Sequence, residues 1–355
     1  MWPDAHDSSA AVQRGGTGPG LRADLARERP TRRRNGDQLG PNPRRRGRVK
    51  TPTASDANGL TTTNGPLRTI AALASAVRPH QWAKNALVFL PVLAAHKAGS
   101  DVYMPLAKGV AAFCLTASAV YLCNDIIDLP KDRVHPRKRH RALASGALSI
   151  RAAGVTAVLL LAAAATLASS LPSAFWGTLG FYVAVSMAYS LDLRRRPVVD
   201  VITLATLYAV RVVAGAALVS VPLSRWFVAL AVFLFLSLAL VKRVVELQDV
   251  EGDVTRAGRG YRPSDVPVLV AIGCASTVAS MLVYCLYITG EDVLRLYRHP
   301  DVLWFGLPLL LYWQTRVWLF TSRRAMHHDP VVFALRDRVS YVIAVAFLGM
   351  VLVAT

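Results

Sequence analysis

Residues 104–132 read MPLAKGVAAFCLTASAVYLCNDIIDLPKD, an apolar run of membrane-spanning length that ends in three aspartates. Asp125, Asp128 and Asp132 stand at positions i, i+3 and i+7. On an α-helix this spacing keeps the three side chains within roughly 60° of arc, so they share one face. Carboxylates this close repel one another unless cations neutralise them. The stretch therefore predicts a transmembrane helix that carries a cation-binding acidic motif at its end.

A second acidic motif has the same spacing and follows another apolar run. Residues 246–253 read ELQDVEGD and place Glu246, Asp249 and Asp253 at i, i+3 and i+7. Mg²⁺ prefers oxygen ligands and shares them with phosphates. We therefore predict one site for Mg²⁺ and a pyrophosphate, with these catalytic and metal-binding residues: Asp125, Asp128, Asp132, Asp249 and Asp253. The alternative is a set of local salt bridges, such as Asp128 with Lys131 or Arg133, and Lys242 with Glu246.

The hydrophobicity of the chain predicts an all-α integral membrane protein. The 355 residues are 53% hydrophobic, with a mean hydropathy of +0.36, and the apolar residues fall in runs of membrane-spanning length. Nine candidate spans follow from them: 82–99, 104–124, 152–170, 174–191, 198–218, 226–244, 265–289, 302–320 and 339–354. Residues 76–355 would form this domain. The four cysteines form no CxxC pattern and are interpreted as small core residues.

The formal net charge of +19 is carried mostly by the N-terminal segment and by alternate loops. This asymmetry predicts that the N-terminus and both acidic motifs face the cytoplasm, in a multi-pass protein of the bacterial plasma membrane. The C-terminus would lie outside. The same rule explains the charge without a nucleic-acid partner. Residues 1–75 are rich in Arg, Gly and Pro, lack an early apolar signal segment, and are predicted to form a disordered basic cytoplasmic tail.

Further polar residues near or within the apolar runs are candidates for substrate binding. Arg211 lies deep in the fifth run, which indicates either a polar pocket or a structural ion pair with an acidic neighbour. The loop triplet His327-His328-Asp329 has too few ligands to predict a metal site. The predicted substrate-binding residues are Lys84, Asn124, Lys138, Arg139, Arg141, Tyr189, Arg211, Lys242, Glu246, Arg256, Arg259 and Tyr261.

The first motif, the second motif after the sixth run and the nine spans resemble the UbiA superfamily of intramembrane prenyltransferases. Three stretches are similar to its polyprenyl-phosphate phosphoribosyltransferase branch: RPHQWAKN (78–85), HPRKRHRALASG (135–146) and HHDPVVFALRDRVS (327–340). The resemblance implies a nine-helix bundle around a central lipid-facing cavity that is capped on the cytoplasmic side. One departure is Ala142, where the branch pattern leads us to expect proline.

The resemblance also implies the reaction. Phosphoribosyl pyrophosphate would donate 5-phosphoribosyl to polyprenyl (decaprenyl) phosphate, with Mg²⁺ as cofactor, for cell-wall arabinan precursors. A lipid phosphate is already an anion and needs no general base, so the enzyme's task is to stabilise the departing pyrophosphate. Two alternatives remain: a UbiA-type prenyltransferase that moves an isoprenoid from a diphosphate to an aromatic acceptor, and a transporter or inactive scaffold. The lipid chain length and a homo-oligomer are left open.

Overall fold

The computed structural model describes residues 66–97, 99–136, 138–248, 260–326, 330–334 and 336–355. The structure in these ranges is helical, as predicted, and contains no strand. The α-helices are α1 (Pro66–Val77), α2 (Leu90–Ala94), α3 (Ser100–Val134), α4 (Ile150–Ala168), α5 (Ser173–Leu191), α6 (Val199–Leu218), α7 (Arg225–Gln248), α8 (Val266–Ile288), α9 (Glu291–Leu296), α10 (Gly306–Ser322), α11 (Pro330–Ala334) and α12 (Arg338–Ala354). Short 3-10 helices cover Pro79–Phe89, Lys138–His140, Leu193–Arg195, Pro263–Asp265 and Pro300–Phe305.

Six helices in the described ranges are long and apolar enough to cross a bilayer: α3, α4, α5, α6, α7, and α8 with the 3-10 turn before it. α12 is apolar but has 17 residues, and α10 also has 17 after a 3-10 start. A count of nine spans and a central cavity therefore stay predictions. α1 begins at Pro66, within the segment 1–75 that was predicted to form the tail, and the boundary between tail and membrane domain stays a prediction.

The first predicted span, 82–99, is wrong as a single α-helix. Pro79 and Pro91 frame a 3-10 helix, which is followed by the five-residue α2. The 3-10 helix lies against α3, where Trp82 donates to Ser118 Oγ at 3.0 Å. It also lies against α6 so closely that a Cβ at Gly215 would overlap the carbonyl oxygen of Val88. Glycine permits this close approach. The packing stabilises a segment that is too polar and too rich in proline to form a regular membrane-spanning α-helix.

Burial along the helices separates those at the centre from those that face lipid. In α6, two thirds of the apolar window is buried, but in α4 only 17% is. Val155, Val158 and Leu159 on α4 are each at least 60% exposed, which is a large apolar face for a protein in water. Contact with lipid explains such a face, and the chain is accordingly a multi-pass membrane protein.

The C-terminal end of α3 and the N-terminal end of α6 lie together, because Arg194 contacts Asp128 and the turn after α5 leads directly into α6. We call this the motif end. At the opposite end, a cavity of about 260 Å³ lies between residues 223–226 and 287–293, away from the acidic motif. The cavity and the first acidic motif therefore lie at opposite ends of the long helices.

Candidate active site at the end of helix α3

The three aspartates of the first motif lie on one continuous helix, as predicted. α3 has 35 residues and is therefore about 52 Å long at 1.5 Å per residue, longer than a bilayer core of about 30 Å. Pro130 lies inside it, but the helix continues to Val134 and carries Asp132 with it. Asp125 and Asp132 are only 4% and 3% exposed. Carboxylates this buried require partners, since an unpaired buried charge is costly.

Arginines from three other segments supply those partners. Arg78 Nη2 lies 2.5 Å from Asp125 Oδ1. Arg141 Nη1 lies 2.7 Å from Asp132 Oδ2 and 3.2 Å from Asp125 Oδ1. Arg194 forms a two-pronged pair with Asp128, in which Nη1 donates to Oδ2 at 2.6 Å and Nη2 donates to Oδ1. Arg78, Asp125, Arg141 and Asp132 thus form a chain of alternating charges, and Asp128 forms a separate pair with Arg194. The formal charges of these six side chains, which we call the charge array, cancel.

Local backbone structure presents each arginine. Arg78 precedes Pro79 with a left-handed backbone (φ 55°, ψ 59°), and its guanidinium lies 5.0 Å from the centre of the Tyr121 ring. Arg194 lies on the 3-10 turn between α5 and α6. Arg141 lies on a loop closed by two backbone bonds at 2.9 Å, in which residues 145 and 148 donate to the carbonyls of 141 and 142. The loop is therefore closed although Ala142 replaces the expected proline.

The donor set of the motif fits a hard cation. All three side chains are carboxylates, and the neighbouring Asn124 Oδ1 is buried without a hydrogen-bond partner. The arrangement differs from a preformed metal site, because each carboxylate is held by an arginine. In the part of the chain that the structure describes, no three carboxylate, imidazole or thiolate groups converge as metal ligands. The local pairs expected as the alternative, Asp128 with Lys131 or Arg133, are replaced by the long-range pair with Arg194.

Arg211 belongs to a second, deeper cluster. Its Nε donates to Asn85 Oδ1 at 2.9 Å, and its guanidinium lies 4.9 Å from the Tyr182 ring centre. Among the described residues no carboxylate pairs with it, so the ion-pair alternative is wrong there. Asn85 also donates to Cys114 Sγ, 11 residues before Asp125 on α3 and thus about 16 Å away along the helix. The structure therefore does not bring Arg211 to the first motif.

A third cluster lies where α6 meets α7. Glu246 pairs with Arg243, which also pairs with Asp200, and the side chains of Arg243 and Asp200 are 1% and 0% exposed. Tyr261 donates to Asp200 Oδ1 at 2.5 Å and is itself only 3% exposed. Burial, followed by that hydrogen bond, raises the pKa of Tyr261, so its hydroxyl keeps its proton at neutral pH. Its predicted role in substrate binding conflicts with this enclosed position.

The remaining predicted residues are distributed around these clusters. Lys138 and Arg139 are exposed on the loop that carries Arg141, and Lys138 lies within electrostatic range of Asp128. Lys84 Nζ lies 5.7 Å from the Tyr208 ring centre, above the Arg211 cluster. Tyr189 on α5 and Lys242 on α7 are half-buried. Four predicted residues lie outside the described residues: Asp249, Asp253, Arg256 and Arg259.

The predicted site residues did not include four charged residues of these clusters: Arg78, Arg194, Asp200 and Arg243. Arg78 stands in the stretch RPHQWAKN, and Arg194 in a run of three arginines that we interpreted as a topology signal. Asp200 and Arg243 are charges just inside apolar runs, which is the signal that could have identified them. No spacing rule could have paired Arg194 with Asp128, since 66 residues separate them.

Comparison with known proteins agrees with this geometry. The model of the UbiA prenyltransferase family matches residues 85–337. Among curated relatives, an uncharacterized protein y4nM of Sinorhizobium fredii is 36% identical over 76% of the chain, which spans about half (53%) of that relative's length. Nodulation protein NoeC of Azorhizobium caulinodans is 33% identical over 75% of the chain and 88% of its own length. Decaprenyl-phosphate phosphoribosyltransferase of Mycolicibacterium smegmatis is 29% identical over 82% of the chain and 94% of its own length.

The fold is also that of a solved structure. A UbiA homolog from Archaeoglobus fulgidus bound to GPP and Mg²⁺ superposes with a TM-score of 0.62, covering 80% of this chain and 99% of that chain at 15% identity. The family model spans well over half of the sequence and includes the whole first motif. The resemblance stated from the motifs is confirmed, and this chain belongs to the UbiA prenyltransferase family.

Proposed function

We propose that this protein transfers 5-phosphoribosyl from phosphoribosyl pyrophosphate to the phosphate of a polyprenyl lipid of the decaprenyl class, with release of pyrophosphate. The observation that carries the proposal is the array of Asp125, Asp128 and Asp132 with three arginines at one end of the membrane helices. An array of alternating charges can take up a metal diphosphate by exchange. Carboxylates would turn to the metal and guanidiniums to the phosphate oxygens.

The chemistry needs a stabilised leaving group more than a base. The acceptor phosphate is an anion at neutral pH, so attack on the anomeric carbon requires alignment and charge neutralisation. Asp125, Asp128 and Asp132 would hold Mg²⁺, joined by Asp249 and Asp253 of the second motif. The bound ion would neutralise charge that develops on the departing diphosphate. The chain's own part is to hold the donor and exclude water from it.

The basic surface around the motif favours a donor that carries a phosphate group in addition to its diphosphate. Phosphoribosyl pyrophosphate carries a 5-phosphate besides its diphosphate. Lys138 and Arg139 are exposed beside Arg141, on the same loop, and would hold the phosphate that the array does not. The relative named decaprenyl-phosphate phosphoribosyltransferase supports the same donor and acceptor for this chain. A prenyl diphosphate has no further phosphate group that these two residues could bind.

The lipid would enter between the helices, with its chain along the deeper cluster. Lys84 and Arg211 would then border the path that the acceptor follows to the motif end. Charged side chains inside a membrane are energetically costly, and such a functional role would account for their position. We propose that the motif end faces the cytoplasm, with the basic N-terminal tail on the same side. Phosphoribosyl pyrophosphate is a charged soluble donor, and a cytoplasmic site would give it access from water.

A direct assay separates this proposal from its main alternative. Purified protein in detergent is given Mg²⁺, labelled phosphoribosyl pyrophosphate and decaprenyl phosphate, and the lipid fraction is extracted. We expect label in lipid with the wild-type protein and with Asp192→Asn, a control at an exposed aspartate of the same end, but none with Asp125→Ala. The proposal fails when label stays out of the lipid while a polyprenyl diphosphate and an aromatic acceptor yield a prenylated product. That outcome identifies a prenyltransferase, which the family description and the GPP-bound neighbour favour.

A further inference from the structure

A strained turn over residues 197–199 leads into α6 and begins three residues after Arg194, the arginine that pairs with Asp128. Val198 has φ 68° and ψ −49°, and Val199 N donates to Pro197 O at 2.8 Å. These values define a γ-turn of the rare positive-φ kind, which is costly for a β-branched residue. Val198 is half-exposed, so packing of its own side chain does not impose the turn. Such a conformation persists only where surrounding groups hold it.

Tyr261 is the group that holds this turn. Its hydroxyl accepts a hydrogen bond from Val198 N at 2.7 Å and donates one to Asp200 Oδ1 at 2.5 Å. Asp200 in turn pairs with Arg243, and both are buried almost completely. The hydroxyl thus both accepts and donates a hydrogen bond, and its acceptor Asp200 belongs to a buried ion pair. Its position is supported by Asp200 on α6 and, through that residue, by Arg243 on α7.

A second contact fixes the same stretch of backbone three residues before Val198, at Arg195. Gly260 N donates to Arg195 O at 3.2 Å. A Cβ at position 260 would lie 2.8 Å from that oxygen and 2.8 Å from Pro197 Cδ, so only glycine allows the approach. The adjacent residues 260 and 261 therefore hold this backbone at two points, Arg195 and Val198. The 3-10 turn that carries Arg194 is continuous with this held backbone.

We propose that Tyr261 is a positioning residue of the diphosphate site, acting through the γ-turn at Val198 to set the guanidinium of Arg194 over the first motif. The inference rests on the proposed function only in that the first motif binds a metal diphosphate. It replaces the predicted contact of Tyr261 with substrate by an indirect role. A change at Tyr261 then acts on diphosphate binding, and it acts through Arg194.

The test is a binding experiment with Mg²⁺ and pyrophosphate on the full-length protein in detergent. Tyr261→Phe keeps the ring and removes the hydroxyl, and we expect Kd to rise about tenfold, the scale of one hydrogen bond to a charged group. In an Arg194→Gln background the same change should leave Kd unaltered within about twofold, since its effect passes through Arg194. The matched control is Tyr284→Phe, which removes a buried hydroxyl that donates to Leu303 O at 2.6 Å at the opposite end. It should lower Tm without changing Kd.

A substitution that relieves the strain of the turn provides an independent test. Val198→Gly makes the positive-φ conformation available without support, so it should leave Kd near the wild-type value. Combined with Tyr261→Phe, it should restore most of the lost affinity. A Tyr261→Phe effect on Kd that persists in full without Arg194, or that matches Tyr284→Phe in being confined to Tm, overturns the inference. If Tyr261→Phe does not fold, the inference then requires Gly260→Ala, which crowds Arg195 O, to weaken binding in the same Arg194-dependent way.

These outcomes are distinct from those of the transfer assay. Binding of Mg²⁺ and pyrophosphate needs neither the ribose nor the lipid. An intact pattern of Kd values without phosphoribosyl transfer rejects the proposed function and leaves the role of Tyr261 standing. Absence of any binding by the wild-type protein rejects both, because Arg194 would then have no diphosphate to meet.

Discussion

The pair of Asp128 and Arg194 should break when a metal diphosphate binds, and this exchange can be measured. In the structure the guanidinium lies as a fork on the carboxylate, with both side chains less than a fifth exposed. The proposed function requires the carboxylate to turn to the metal and the guanidinium to a phosphate oxygen. The perturbation is a double-mutant cycle with Asp128→Asn and Arg194→Gln, which remove one charge each and preserve approximate side-chain size.

The size and sign of the expected coupling follow from the burial of the pair. Exposed pairs contribute up to about 1 kcal/mol, and loss of one partner from a fully buried pair costs about 3–5 kcal/mol. For this largely buried pair we expect an interaction energy of about 2 kcal/mol, which corresponds to a change of about 30-fold in Kd. The wild-type protein loses this energy on binding, whereas each single variant has already lost it. The double variant should therefore bind more weakly than the sum of the single effects predicts, by about 30-fold.

The assay is calorimetric titration of four purified proteins in detergent with pyrophosphate at saturating Mg²⁺. Asp192 and Arg196 form a matched control pair on the same turn, at 2.7 Å but 53% and 65% exposed. A cycle with Asp192→Asn and Arg196→Gln should be additive, since such a surface pair is screened by water. Additive effects at Asp128 and Arg194, within about twofold, would show that the pair persists in the bound state. The exchange argument would then be wrong.

Three further outcomes can be checked on the same material. Asp125→Ala should reduce transfer by roughly 100-fold or more while Tm in detergent stays measurable, because it removes a ligand and leaves Arg78 and Arg141 unbalanced. Removal of residues 1–65 should leave the transfer rate within about twofold, as expected for a basic terminal tail. Arg316 holds the pKa of Asp337 below its ordinary value of 3.8, so this pair stabilises the fold above that pH and is lost as pH falls through the lowered pKa. Asp337→Asn should lower Tm at pH 7 and flatten the decline of Tm below pH 4.

Hydropathy and helical spacing predicted the parts of the fold that depend on local sequence. The shared face of Asp125, Asp128 and Asp132 follows from 3.6 residues per turn, and α3 carries it as expected. The first span was predicted wrongly because a count of apolar residues does not distinguish an α-helix from the 3-10 helix that forms between Pro79 and Pro91. The 3-10 helix between them depends on close packing against α6 at Gly215. A contact between segments so far apart leaves no signal in either one alone.

The candidate site was predictable in the three carboxylates of the first motif and, among its arginines, only at Arg141. Spacing identifies side chains on one helix face, and that rule has no counterpart for residues from separate loops. Arg141 was expected to bind phosphate, and the structure gives it two aspartates as partners. Tyr261 was expected at the substrate, but the fold buries it against Asp200. Both differences arise because a buried charge or hydroxyl must be paired in the folded protein.

The charge array also explains why a membrane protein can keep three aspartates at one end of its helices. Unpaired, the buried carboxylates of Asp125 and Asp132 would be costly, and the guanidinium of Arg141 between them removes that cost. A metal ion alone would draw the carboxylates away from the three arginines, whereas a diphosphate alone would draw the arginines away from the carboxylates. Only the two together restore full pairing, because the phosphate oxygens replace the carboxylates at the guanidiniums. Under the proposed function, metal and diphosphate binding would depend on each other, and the same charge balance would keep the folded chain stable between turnovers.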